Sequence, residues 1–137
     1  MKRVILTLSV FGLLFISCSP KMERVYVEEL GISIEMPNNV ENSTKDDGTI
    51  FYTNGKGVGI TMYKFDPINH SCYENELYKD TILISGLKCK YSESKELQLV
   101  NCWVGTETPC EYHISIMGSG TSKKLAFQII ESFKIGR

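Results

Sequence analysis

Five cysteines and two histidines are the residues of this 137-residue chain with the most chemistry to offer. Cys110-x-x-His113 and His70-x-Cys72 supply the residue types of a two-cysteine, two-histidine zinc site. On a strand, however, residues three apart point to opposite faces, so Cys110 and His113 would not converge on one ion. No metal site is therefore expected. No Cys-x-x-Cys is present, which removes the usual motif of a thioredoxin-like redox centre. Either histidine could serve as a base, yet no nucleophile stands at a recognisable elbow beside one. Gly55-Lys56-Gly57-Val58-Gly59 has the glycine density of a phosphate loop, but it lacks the second glycine at Walker spacing, a Ser or Thr after the lysine, and a helix to aim its amides. Asp46-Asp47, just before Gly48, is a paired carboxylate in sequence only and fits a solvated turn. The chemistry-bearing residues thus argue against an enzyme and against a cofactor.

Cys18 has a different setting from the other four cysteines. Lys2 and Arg3 open the chain, and Val4 to Ile16 form an uncharged run rich in Leu, Val, Ile and Phe, the layout of a secretory signal peptide. That run is shorter than the roughly 20 residues a membrane-spanning helix needs. At its end, Leu14-Phe15-Ile16-Ser17-Cys18 resembles a bacterial lipobox. The resemblance implies that residues 1–17 are removed as a lipoprotein signal peptide and that the Cys18 thiol takes a diacylglycerol thioether before its new amino group is acylated. Several acyl chains hold a protein stably at a membrane where one holds it only marginally. Ser19 does not resemble the aspartate that retains lipoproteins in the inner membrane of enteric bacteria, so an outer-membrane address follows for a cell with two membranes. Cleavage at another site, giving an ordinary secreted protein, is the alternative. Residues 18–24 would then form a lipidated tether reaching on the order of 10 to 15 Å, with residues 25–137 as a single domain.

Export changes both the charge and the cysteine count. Of the 15 basic residues Lys2 and Arg3 leave with the signal, so 13 face 16 acidic residues and the formal charge moves from −1 to −3. No basic stripe remains to neutralise phosphates, and nucleic-acid binding has no support. The four remaining cysteines, Cys72, Cys89, Cys102 and Cys110, form an even set in a chain bound for an oxidising compartment, which predicts disulfides. Four cysteines allow three connectivities. A hairpin turning at Gly105-Thr106-Glu107 would pair Val104 with Thr108 and place Cys102 opposite Cys110, about 4.5 to 5.5 Å apart at Cα, within reach of a disulfide. Cys72 with Cys89 would follow by elimination.

The elements that must position these residues read as an α+β domain with a mainly antiparallel sheet and two helices. Val25-Tyr26-Val27 is a short strand, and "GISIEMP" alternates Ile32, Ile34 and Met36 on one face before Pro37. Asn38 to Lys45 is polar and weakly structured. "TIFYTNGKGVGITMYKF" predicts a hairpin with Asn54-Gly55 supplying positive φ angles. A capping box at Ser71-Cys72-Tyr73-Glu74 and a stripe of Tyr73, Leu77 and Ile84 predict a first helix that stops at Gly86. Leu87, Cys89 and Tyr91 alternate as a strand. Thr121 or Ser122 caps a last helix whose Leu125, Phe127, Ile129, Ile130 and Phe133 make a broad apolar face.

"LGISIEMP" and "LAFQIIESFKI" resemble the opening strand and closing helix of the PsbP-like superfamily, whose members are small α/β sandwiches with a mainly antiparallel sheet. The likeness rests on these two stretches. It implies a PsbP-like sandwich and a non-catalytic binding or assembly module.

In the predicted hairpin Trp103 falls on the face opposite Cys102, together with Glu111 and His113. An aromatic among polar residues is a typical contact anchor, so these three residues are the predicted partner-binding surface. Leu97 and Leu99 precede Trp103 on the same face, and the alternative is that a helix covers it. The sequence therefore predicts an envelope lipoprotein that binds another protein, with a small-ligand binder or hydrolytic enzyme, its site between sheet and helices, as the competing expectation.

Overall fold

A computed structural model describes residues 20–44, 49–64, 80–96, 98–105, 111–118 and 121–137. Its larger sheet contains β3 (Glu41–Asn42), β4 (Ile50–Thr53), β5 (Gly59–Lys64), β6 (Asp80–Ile84), β7 (Leu87–Ser94), β8 (Leu99–Val104) and β9 (Tyr112–Met117) in the spatial order β3-β4-β5-β9-β8-β7-β6. A smaller sheet orders β1 (Met22–Val27), β2 (Ile32–Pro37) and β10 (Lys134–Ile135) as β1-β2-β10. Every neighbouring pair in both sheets is antiparallel. The helix α1 (Lys123–Glu131) lies between β9 and β10 in the chain.

The period-2 alternation of β2 has the predicted outcome. Ile32, Ile34 and Met36 are buried and join one core with Ile60 and Met62 of β5, Ile114 and Ile116 of β9, and Ala126, Ile129 and Ile130 of α1. Phe133, just past the helix, is fully buried and meets the Tyr112 ring at 5.4 Å. The small sheet and α1 thus share one face of the large sheet, because each has an apolar side that only the other elements can cover. Ser122 caps α1, its hydroxyl accepting from the Leu125 N–H at 3.1 Å. At the other end Ser132 extends the small sheet. Strand β10 reaches only Ser33 and Ile32 of β2, and the Ser132 hydroxyl accepts the next β2 donor, the Glu35 N–H, at 2.7 Å.

Several expectations change. Ile84, predicted on a helix, ends β6, and the turn that follows has Ser85 at φ 50 and Gly86 at φ 80. Positive φ at both central residues is what a two-residue hairpin turn needs to match strand twist, so Gly86 turns a hairpin instead of ending a helix. The Ser85 hydroxyl fixes that turn by donating to the Phe133 carbonyl at 2.6 Å. The start of the expected helix, including Ser71, Cys72, Tyr73 and Leu77, lies outside the described residues, among which α1 is the single helix. Strand β1 begins at Met22, drawing residues 22–24 of the expected tether into the small sheet. Glu41 and Asn42, expected in a weakly structured stretch, pair with β4. The β4–β5 loop is also longer than a tight turn: Thr53 pairs with Gly59, and the Asn54 side chain accepts from the Lys56 and Val58 N–H groups.

Candidate functional site

The hairpin that carries most of the predicted site residues is built on another register. Val104 pairs with Tyr112, Trp103 with His113 and Cys102 with Ile114. The expected alignment of Val104 with Thr108 is therefore not the one adopted, and Cys102 does not face Cys110 across this ladder. A shift by an even number of residues preserves which face each side chain takes, so the face assignment holds: Cys102 and Val104 point to the core, Trp103 and His113 away from α1. Cys18, Cys72 and Cys110 lie outside the described residues.

On the face away from α1, β5, β8 and β9 bring three rings together. The Tyr63 and His113 rings stack with centroids 4.8 Å apart, Trp103 tilts onto His113 at 4.2 Å, and Tyr63 meets Trp103 edge-on at 6.1 Å. Trp103 is 5% exposed and His113 8%, while Glu111 is exposed. A contact anchor must be reachable, and in this structure Trp103 and His113 are not; their rings pack as an interior cluster. Glu111 immediately precedes β9, its N–H donating to the Val104 carbonyl at 2.9 Å. Tyr63 had no part in the sequence reading, although its place one residue from Met62 put it on the outer face once the β5 strand was known.

On the core face β7 and β8 bring two cysteines together. Cys89 and Cys102 are both fully buried. Their side chains are hydrogen-bonded, and this contact, ahead of the opposing effect of burial, holds the Cys89 thiol below the usual range, with backbone hydrogen bonds at Gly105 and Ile84 acting the same way. The same contact, then burial, pushes Cys102 up. The neutral Cys89 thiol also reaches the Leu87 carbonyl at 3.5 Å.

Between the start of α1 and the β7–β8 turn lies a cleft of about 180 Å³, bordered by Glu93, Ser94, Lys95, Ser122, Lys123 and Ala126. Lys123 bridges it by pairing with Glu93 at 3.0 Å. Small-molecule sites usually enclose about 300 Å³ or more, so this cleft suits a small fragment at most. Among the described residues no group of three or more His, Cys, Asp or Glu side chains is arranged to hold a metal ion.

No protein-family model matches the chain, and no curated protein matches it either. A crystal structure from Bacteroides thetaiotaomicron VPI-5482, at 1.50 Å resolution, is similar with a TM-score of 0.54 and 17% identity over 83% of this chain. The chain spans about half of that structure's length, 48%. At this identity the likeness concerns the fold: a mostly antiparallel sheet protein of the α+β class.

Proposed function

We propose that the protein is a lipid-anchored module of a bacterial envelope, held in the outer membrane through Cys18, that acts by binding another protein. The observation that carries this reading is the spacing between anchor and domain. Cys18 ends the signal-like apolar run, and β1 begins at Met22, four residues later. A tether this short keeps the folded domain within on the order of 10 Å of the lipid surface, where any partner must also lie. The PsbP-like likeness of the first core strand and the last helix supports a binding or assembly role in place of catalysis. With Trp103 and His113 buried, the contact surface passes to other side chains: Tyr26 on β1 and Ile135 on β10 are exposed, and Arg137 lies over the Tyr26 ring at 4.8 Å.

The test is membrane fractionation of the native protein alongside Cys18→Ser, followed by crosslinking in intact envelopes with Tyr26→Ala as the contact variant. The wild type should resist alkaline carbonate extraction and Cys18→Ser should be released. A crosslinked partner should be lost from Tyr26→Ala at unchanged melting temperature. Retention of Cys18→Ser in the membrane would refute the anchor. The cleft at the start of α1 favours a second reading, a binder of a small ligand between sheet and helix, and predicts loss of that ligand on Lys95→Glu.

A further inference from the structure

Cys89 on β7 and Cys102 on β8 share the core-facing side of the large sheet, and both are at 0% exposure. The register sets Cys89 opposite Val104 and Tyr91 opposite Cys102, which makes the two cysteines diagonal neighbours on one face. Diagonal neighbours stand about 7 to 8 Å apart at Cα, with the Cβ atoms closer, just beyond the roughly 4.4 to 6.8 Å that a disulfide usually spans, so the bond requires β7 and β8 to draw together. β7 and β8 are placed for such an adjustment, with only β6 between them and the edge of the sheet.

The geometry points to a disulfide between Cys89 and Cys102 that joins β7 to β8 in the oxidised protein. Of the three possible connectivities this selects the one that contains neither Cys102–Cys110 nor Cys72–Cys89. The register that would set Cys102 opposite Cys110 is not the one adopted, since Cys102 pairs with Ile114.

The chemistry is ordinary thiol–disulfide exchange, which either cysteine can begin. The Cys89 thiolate attacks one sulfur of a disulfide oxidant, forming a mixed disulfide and releasing the oxidant's other sulfur as a thiolate. Cys102 then loses its proton to that thiolate and attacks the Cys89 sulfur, which breaks the mixed disulfide and frees the second oxidant thiol. The two cysteines are oxidised by two electrons and the oxidant is reduced to two thiols. Because both sulfurs are sealed from solvent in the folded chain, the exchange must precede closure of the core over β7 and β8. This makes it a folding event, and the finished bond resists reduction until the domain opens.

In the cell the reaction rests on the proposed export to an oxidising compartment, so the experiment separates the two. The full chain is refolded from denaturant in detergent with reduced and oxidised glutathione, free thiols are alkylated, and the protein is cleaved after glutamate without reduction. Glutamates at 74, 76, 93, 96, 107 and 111 place each of the four cysteines on its own peptide. The expected product is the 77–93 peptide linked to the 97–107 peptide, the pair separating on reduction. Linkage of 97–107 to the Cys110 peptide, linkage of 77–93 to the Cys72 peptide, or alkylated Cys89 and Cys102 would each overturn the proposal. Protein taken from envelopes and alkylated at harvest is mapped in parallel. The bond in the refolded chain together with free thiols in cells would uphold the pairing and count against export.

Discussion

Gly118 follows β9 where three parts of the chain converge, and replacing it with alanine isolates a contact that the domain relies on. Its φ is +118, a conformation that a side chain strains. A Cβ built there would lie 2.1 Å from the Gly57 carbonyl oxygen and 2.6 Å from its carbon. Both obstructing atoms are backbone, so no side chain can swing aside. The Gly118 N–H donates to the Gln98 carbonyl at 3.1 Å and its carbonyl accepts from the Thr121 N–H at 3.0 Å, which leaves the residue little room to retreat. The backbone strain costs about 1 to 2 kcal/mol, and forcing the β4–β5 loop away by roughly 1 Å adds about 1 to 3 kcal/mol. A total near 3 kcal/mol lowers the melting temperature of a domain this size by about 10 °C. Gly31→Ala is the control: Gly31 also has positive φ, +65, but nothing lies within 4 Å of its would-be Cβ, so only the strain of about 1 kcal/mol applies. Urea and thermal unfolding of both variants can be followed by the fluorescence of Trp103, the chain's one tryptophan, which is buried. Should Gly118→Ala be no less stable than Gly31→Ala, the contact with Gly57 does not constrain the fold and the reasoning is refuted.

Two further outcomes follow from burial. Trp103→Ala removes an indole at 5% exposure that packs on His113 and Tyr63, and should cost about 3 to 5 kcal/mol; an unchanged melting temperature would restore Trp103 to the protein's surface and to partner contact. Tyr52 and Tyr112 both have pKa values raised above 10.0, chiefly by burial, with Glu29 and Glu111 adding to the shift. Their stabilising effect is complete while both states are neutral, and it declines above pH 10.0 as the unfolded chain ionises first. Unfolding free energy measured between pH 9 and 11 should therefore fall less steeply in Tyr52→Phe and Tyr112→Phe, and slopes equal to wild type would contradict the assignment.

How much of this was legible in the residues depends on how local the cause is. The alternation of Ile32, Ile34 and Met36 allowed one buried face, and β2 occupies it. The apolar stripe behind Ser122 allowed one helix, and α1 forms there with that serine as its cap. Ile84 was misread because a short apolar run fits either period; pairing with Leu87 across Ser85-Gly86 settles it as a strand. The β8–β9 register was misplaced by four residues for a related reason: alternation sets which face a residue takes, and a four-residue slip leaves every face unchanged. Faces were thus readable where partners were not.

By itself the sequence determined the strand periods, the last helix and its cap, and the separation of Trp103 and His113 from Cys102 by strand face, since each depends on residues within one or two turns of chain. The tertiary structure alone decided that Tyr63 completes the ring cluster, that Trp103 is buried, and that Cys89 and Cys102 are diagonal neighbours. Those contacts join strands distant in sequence, and only the packing of the whole core selects their register.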